Sequence, residues 1–136
     1  MYNYLQKRKN RKEPISEKLI ICWLMQLLMG LEHIHSKNIV HRLITAHNIY
    51  MNHQGDLKLG SFGSAKVLEN TIKKAMSVVT EPCNMSPEMV EGKPYDCKAD
   101  IWALGCLVYE MATFTPMFKF GNLAQLYDLI VEKQCP

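Results

Sequence analysis

The sequence predicts an α+β fold that is mainly α-helical. Apolar residues recur every three or four positions over residues 17–35, and a second long helix is predicted over residues 96–113, in which residues 101–109 are apolar on nearly every side. A short β-rich stretch, with Ile49–Met51 and Leu57–Leu59 on either side of a glycine-containing turn, predicts a small hairpin. At 136 residues, 48% of them hydrophobic, the chain can bury one core, so we expect a single domain over residues 1–136.

The N-terminal part is predicted to contain two helices. A short helix over residues 2–6 gives way to a basic run, and Pro14 breaks the chain before the next element. Ser16 is placed to cap the helix over residues 17–35, because its hydroxyl can accept a backbone N–H of the first turn. Large apolar side chains at helical spacing are expected in the core: Trp23, Met25, Met29 and Trp102.

The rest of the chain is predicted to alternate short and long elements. Ile39–Val40 is β-rich, whereas residues 61–79 carry no sustained period and are predicted to form a surface loop. A proline at the first helical position favours a brief helix after Ser86. The apolar helix over residues 96–113 is expected at the centre of the fold, and a third long helix is predicted over residues 122–133.

Composition and charge exclude several classes of protein. The longest apolar stretch, residues 19–31, is too short to cross a bilayer, so no membrane span is expected. Five cysteines without a C-x-x-C pair predict neither a disulfide framework nor a zinc ribbon, which favours a reducing compartment: the cytoplasm, or alternatively the nucleus. The net charge is only +3, and the basic run at residues 7–12 favours a solvated helix end over nucleic-acid binding. The five histidines match no zinc motif.

Four short motifs lie at the junctions between the predicted elements. They are His41-Arg-Leu-Ile-Thr-Ala-His-Asn48, Ser61-Phe-Gly63, Ser86-Pro-Glu88 and Asp100-Ile-Trp-Ala-Leu-Gly105. Their order and spacing resemble the C-terminal lobe of a eukaryotic protein kinase, where H-R-D-L-x-x-x-N, D-F-G and A-P-E occupy the corresponding places. Finer detail, such as Met85-Ser-Pro-Glu88, is most similar to the NIMA-related (Nek) serine/threonine kinases.

The resemblance implies the architecture of this chain and several structural residues. It implies a kinase-like C-lobe with its hairpin beside the catalytic loop and with no N-terminal lobe. In the family, the counterpart of His41 supports the D-F-G phenylalanine, here Phe62, and that of Asp100 accepts backbone N–H groups of the catalytic loop. Further positions that the resemblance assigns to the architecture or to regulation are Arg42, Gly63, Glu88 and, as a phosphorylation site that Arg42 could contact, Ser77.

The same resemblance indicates that the reactive positions are changed. Leu43 stands where the family has the catalytic Asp, Thr45 where it has a Lys, and Ser61 where it has the magnesium-binding Asp of D-F-G. Asn48, the second magnesium ligand of the family, is present. Leucine can neither accept a proton nor a hydrogen bond, so no catalytic residue is expected to remain. The resemblance places Tyr50 on the floor of an adenine site and assigns further cofactor contacts to Asn48 and Ser61.

The sequence therefore predicts a catalytically defective, Nek-like pseudokinase segment that acts through an unidentified protein partner. No cofactor is expected; ATP and magnesium follow from the resemblance alone. One alternative is a serine/threonine kinase that binds ATP and retains residual phosphoryl transfer as part of a longer or split chain. A second alternative is a gene product without function. The protein-binding interpretation also predicts an apolar surface on an uncovered side of the helix over residues 96–113.

Overall fold

The computed structural model describes residues 1–68 and 81–132, and helices build most of this part of the chain. The helices are α1 (Tyr2–Asn10), α2 (Glu17–His35), α3 (Pro87–Val90), α4 (Lys98–Thr113) and α5 (Leu123–Val131), and the strands are β1 (Ile39–Val40), β2 (Ile49–Met51), β3 (Leu57–Leu59) and β4 (Lys66–Val67). Short 3₁₀ turns lie at Phe62–Ser64 and Pro82–Asn84. The predicted mainly helical fold with a small hairpin is confirmed. Among the described residues, no helix combines the length and apolarity needed to cross a bilayer.

Helix α2 begins and ends where the sequence predicts. The Ser16 hydroxyl accepts the backbone N–H of Leu19 at 3.4 Å, which satisfies a donor that the first helical turn leaves free. One face of α2 is buried against α4, β1 and β3. From that face the indole N–H of Trp23 donates to the Gly55 carbonyl at 2.9 Å, so the helix also fixes the hairpin turn. Helix α2 is therefore the support on which the hairpin is built.

Helix α1 is longer than predicted, because it continues through the basic run to Asn10 instead of ending near residue 6. Cations are favourable near a helix C-terminus, where the backbone carbonyls carry partial negative charge. Arg8 also donates to Glu13 at 3.0 Å and to the Pro14 carbonyl at 2.9 Å, and Leu5 is buried. The contacts of Arg8 with Glu13 and with the Pro14 carbonyl thus hold the last turn of the extended helix.

The strands form two separate antiparallel pairs. The predicted hairpin is confirmed, with β2 and β3 aligned so that Ile49 lies opposite Leu59. The prediction of a featureless loop from residue 61 is wrong for residues 62–67, which form a 3₁₀ turn and then β4, paired with β1. Both β4 side chains are exposed, so no apolar alternation marks this strand in the sequence. Residues 69–79 of the predicted loop lie outside the described residues.

Helix α4 is central, as predicted, but two expected core residues are not buried. Most apolar side chains of α4 are buried or half-buried, with Ile101 41% exposed.

Met25 and Met29 of α2 are 54% and 68% exposed, so the prediction that they lie in the core is wrong. The sequence of α2 is apolar almost all round, yet only one of its faces meets other elements. Trp23 is buried as expected, and Trp102 is half-buried and stacks on Phe118.

A buried carboxylate joins the two long helices to the loop after β1. Asp100 of α4 is 1% exposed; its Oδ2 accepts the backbone N–H of His41, and its Oδ1 accepts that of Arg42, both at 2.8 Å. His35, at the end of α2, places Nε2 2.8 Å from Oδ2. A buried charge is tolerated only when its hydrogen-bonding capacity is met, and here both oxygens are engaged.

The His41 ring is held in one tautomer beneath the same loop. A carbonyl can only accept, so Nε2 carries the proton and donates to the Gly60 carbonyl at 2.9 Å. The other ring nitrogen, Nδ1, accepts the backbone N–H of Leu43 at 3.3 Å. Burial lowers the pKa of His41 below its ordinary value of 6.5, and this effect outweighs the attraction of Asp100 for the charged ring. The folded protein therefore favours the neutral form of the His41 ring.

Replacing Asp100 with Asn should destabilise the protein by about 3 kcal/mol, because the amide offers one acceptor oxygen and turns a donor toward other donors. Urea unfolding followed by circular dichroism measures the change. Asp128→Asn is the matched control: Asp128 is exposed on α5, so its loss should change the free energy of unfolding by less than about 0.5 kcal/mol. Equal effects of the two substitutions would contradict the role assigned to Asp100.

The neutral His41 ring should make stability depend on pH. Because the folded-state pKa is lowered, the unfolded chain binds the proton more readily, and stability is lost as pH falls below about 6.5. The His41→Gln variant cannot titrate at this position, so the difference in unfolding free energy between wild type and variant should shrink between pH 7.5 and pH 5.5. Taking the difference cancels the titration of other groups that both proteins share. A difference that is constant with pH would disprove this account.

Candidate functional site

The candidate site is built on the loop between β1 and β2, residues 41–48. Arg42 adopts a left-handed backbone conformation, with φ of 67°, which is uncommon for a residue with a side chain. The hydrogen bond from its N–H to Asp100 holds that conformation, and its Nε donates to the Ser64 carbonyl at 2.6 Å. Arg42 therefore ties this loop to the 3₁₀ turn that follows Ser61.

The three residues expected at reactive positions of this loop lie close together. The Asn48 amide nitrogen donates to the Leu43 carbonyl at 3.2 Å and to the Thr45 hydroxyl at 3.1 Å. Thr45 is 2% exposed, and Leu43 and Asn48 are half-buried. An aliphatic chain, a neutral hydroxyl and an amide offer no group that takes up a proton near neutral pH. The loop has a defined shape but lacks a general base at these positions.

Ser61 lies beside this loop. The N–H of the preceding Gly60 donates to the Asn48 carbonyl at 3.0 Å, which joins the end of β3 to the loop. Ser61 is exposed and adopts a left-handed conformation with φ of 62°. The following Phe62 ring lies 4.8 Å from the His41 ring in an edge-to-face arrangement and is 45% exposed. The structure thus places Ser61 directly after a backbone contact with Asn48, and Phe62 against His41.

Tyr50 covers Gly60, and this close approach requires glycine. A Cβ at Gly60 would overlap the Tyr50 ring, so a side chain at this position would push the ring away. Tyr50 itself is 57% exposed on β2, the strand predicted to carry the adenine floor. This role of Gly60 is not predicted from the sequence, where a glycine directly before Ser61 is the only feature that could have indicated it.

The residues present do not fit a magnesium ion. Magnesium is held in proteins mainly by carboxylates together with phosphate oxygens, whereas this site offers the Ser61 hydroxyl and the Asn48 amide. In residues 1–68 and 81–132, no three His, Cys, Asp or Glu side chains lie close enough to hold a metal. A neutral hydroxyl is a poor replacement for a carboxylate on so hard a cation.

Three predicted site residues remain to be placed: Gly63, Glu88 and Ser77. Gly63 is exposed in the 3₁₀ turn. Glu88 of α3 is half-buried and lines a cavity with Trp102 and with Val131 of α5. Ser77, the predicted phosphorylation site, lies outside the described residues, so the structure does not test its relation to Arg42.

Two features near the loop were not predicted from the sequence. His35 contacts Asp100, but a histidine at a helix end carries no pattern that would reveal this partner. A cavity of about 180 Å³ beside Thr45 is lined by Glu81, Cys83 and Glu110 among others. Burial and the nearby Glu81 raise the pKa of Glu110, and burial raises the pKa of the Cys83 thiol. The lining residues Thr45, Cys83 and Glu110 come from three distant parts of the chain, which only the fold brings together.

Comparisons of the sequence with known proteins identify the family of the chain. The protein kinase domain model matches residues 1–135. The chain is 44% identical over 125 residues to the serine/threonine-protein kinase Nek5 of Homo sapiens, and this alignment covers 90% of the chain and 18% of the relative. It is 40% identical over 120 residues to Nek1 of Mus musculus, covering 88% of the chain and 10% of the relative. Mouse Nek4 is 37% identical over 136 residues, covering 100% of the chain and 17% of the relative.

The alignments also define how much of each relative is represented. The chain spans between about a tenth and a fifth of the length of these curated relatives. The motifs at residues 41–48, 61–63, 86–88 and 100–105 lie within the matched region. By its sequence, the chain belongs to the protein kinase domain family and is similar to the Nek serine/threonine kinases.

Proposed function

We propose that this chain is a catalytically defective, Nek-like kinase segment that acts by binding protein and not by transferring phosphate. The observation that carries the proposal is Leu43, an aliphatic side chain where the family resemblance expects the carboxylate that accepts the substrate proton. General-base catalysis contributes roughly 10² to 10⁴ in rate, and leucine can supply none of it.

The charge of the site supports the same conclusion. Phosphoryl transfer depends on positioning and on cations that neutralise the charge developing on the phosphate oxygens. Thr45 and Ser61 are neutral where the resemblance expects a lysine and a carboxylate, and the donor set does not fit magnesium. Restoring the base alone would therefore leave the electrostatic part of catalysis missing.

The intact loop supports a binding role. Asp100, His35 and His41 maintain a buried hydrogen-bond network, although none of the three would act on a substrate. A chain that keeps this arrangement retains a rigid surface to which another protein can bind. The rival function, phosphate transfer by a longer or split kinase, is favoured by Asn48, whose amide is held in place by Leu43 and Thr45.

Mg·ATP should neither stabilise this protein nor be consumed by it. A ligand at 100 times its dissociation constant would stabilise the fold by about 2.7 kcal/mol, which is easily seen as a shift in melting temperature. We expect no shift at millimolar Mg·ATP in differential scanning fluorimetry, and no transfer of radioactive γ-phosphate to a generic protein substrate. An active Nek kinase domain measured in parallel is the positive control. A saturable shift, or turnover comparable with that control, would favour the rival function.

Restoring one carboxylate should create magnesium-dependent stability. Asp is among the residues that tolerate the left-handed conformation of Ser61, so Ser61→Asp should fold and place a carboxylate beside Asn48. The melting temperature of this variant should rise with magnesium concentration, whereas that of the wild type should not. Ser36→Asp adds the same charge at an exposed position after α2 and serves as the control. The explanation fails if Ser61→Asp and Ser36→Asp respond alike.

A further inference from the structure

The C-terminal end of α1 carries basic residues that the candidate site does not use. The exposed ones are Lys7, Lys9, Arg11 and Lys12. Arg8 is half-buried and pairs with Glu13, which is the one acidic residue among the first sixteen of the sequence. Among the described residues, no ion pair involves Lys7, Arg11 or Lys12. The positive charge at this end of the helix therefore exceeds the negative charge that the sequence places beside it.

The exposed cations fall into two groups. Lys7 and Arg11 lie on one side of α1, because they are four residues apart and Arg11, where the helix ends, keeps a helical conformation. Lys9 is two residues from Lys7 and therefore lies on a different side. Burial raises the pKa of Glu110 and the positive charge of Lys9 opposes that shift, so Lys9 lies near this carboxyl group. Lys7 and Arg11, together with the adjacent Lys12, form what we call the basic cluster.

Lys12 occupies a position at which glycine is the usual residue. Its φ is 55°, in the left-handed region that a side chain makes unfavourable. The N–H of Lys12 donates to the Lys9 carbonyl and the N–H of Glu13 donates to the Arg8 carbonyl, both at 3.0 Å. This is the hydrogen-bond pattern with which many helices end, and it gives the backbone of the basic cluster one shape. A cation kept where glycine would be less strained indicates a use outside the fold.

The basic cluster differs from an apolar face in what can cover it. An apolar helix face is a surface over which a further element of the same fold can pack. Burying an ammonium or guanidinium group without an opposite charge is strongly unfavourable, so ordinary packing does not cover such groups. A molecule that covers the cluster must therefore bring negative charge of its own.

An acidic peptide fits this end of α1 better than a nucleic acid does. Proteins that bind single-stranded nucleic acids combine basic groups with exposed aromatic rings on which the bases stack. The aromatic side chains of α1, Tyr2 and Tyr4, are half-buried, and they are already engaged with His47 and Trp23. The helix therefore offers charge to a ligand but no stacking surface.

The spacing of the basic cluster matches an extended peptide. Lys7 and Arg11 are about 6 Å apart along the axis of α1, at 1.5 Å per residue. Alternate residues of an extended chain are about 6.6 Å apart, and their side chains point to the same side. Acidic side chains at alternate positions of a peptide can therefore contact Lys7 and Arg11 in turn, with Lys12 directly beside the second contact.

We propose that the basic cluster binds an extended segment of a partner protein that carries Asp or Glu at alternate positions. The proposal rests on the protein-binding part of the proposed function and names the chemistry of the partner. Exposed ion pairs are individually weak, so we expect a dissociation constant on the order of 100 µM at low ionic strength. Because these charges are exposed, added salt should weaken the complex.

Single substitutions in α1 test which cations bind. The probe is a peptide of alternating Glu and Ser that carries a neutral fluorophore, and its binding to the whole chain is followed by fluorescence anisotropy. Lys7→Gln and Arg11→Gln should each raise the dissociation constant about threefold, because each removes one contacting cation. Lys9→Gln is the matched control: it makes the same change in charge within the same run, but beside Glu110, and it should leave the constant unchanged.

Lys12→Gly separates binding from folding. Glycine adopts the left-handed conformation freely, so the variant should fold with a melting temperature no lower than that of the wild type. Its dissociation constant for the peptide should nevertheless rise about threefold, because the cation is lost. The triple variant, Lys7→Gln with Arg11→Gln and Lys12→Gly, should weaken binding about thirtyfold if the three contacts add. Differential scanning fluorimetry supplies the melting temperatures.

Three results would overturn the proposal. The first is a wild type that does not bind the peptide at low salt, or that binds equally well when Gln replaces every Glu of the peptide. The second is a Lys9→Gln variant that loses as much affinity as Lys7→Gln, since net charge alone would then explain binding. The third is single-stranded oligouridine of the same charge binding through the basic cluster more tightly than the peptide does.

These outcomes are distinct from a failure of the proposed function. Phosphate transfer is tested by the Mg·ATP measurements, and none of the α1 substitutions alters a residue of the loop over residues 41–48. Absent peptide binding together with an unchanged response to Mg·ATP would refute this inference alone.

Discussion

The carboxylate of Asp100 is the group on which the loop and the two long helices all depend. It lies on α4, accepts the backbone N–H groups of His41 and Arg42, and contacts His35 at the end of α2. A buried carboxylate is costly unless it is fully hydrogen-bonded, so each donor stabilises the position of the others. The strained backbone of Arg42 persists because its N–H is committed to this acceptor.

This network separates the shape of the site from its chemistry. The hydrogen bonds that fix the loop come from the backbone, from buried side chains and from the Asn48 amide. The positions expected to react carry side chains that project from an already fixed backbone, as at Leu43 and Ser61. A change at such a position can remove chemistry at little cost in folding free energy. A kinase-like lobe can therefore keep its architecture under the proposed loss of phosphate transfer and remain available for binding.

Helix α2 shows how an apolar sequence can serve two surfaces. Its inner face supplies Trp23 to the core, and the indole of that residue also holds the hairpin turn. Its outer face is nearly as apolar, with Met25 at its centre, but no described element lies over it. The core of the described part uses only the inner face.

The amino-acid sequence determined the local elements and the order of the motifs. The limits of α2 follow from its apolar period and from Ser16, and the hairpin register follows from side chains that alternate within a few residues. The family and the expected reactive positions, Leu43 and Ser61 among them, follow from motifs that are continuous in the chain. These features could be predicted because backbone preference and side-chain spacing act over short distances.

The tertiary structure decided what depends on distant residues. It extended α1 to Asn10, formed β4 by pairing with β1, and left Met25 exposed because no described element covers that face of α2. It also brought His35 to Asp100, 65 residues away in sequence. Burial and strand pairing of this kind depend on how whole elements pack. The spacing of apolar residues in the sequence does not reveal which of two apolar helix faces another element will cover.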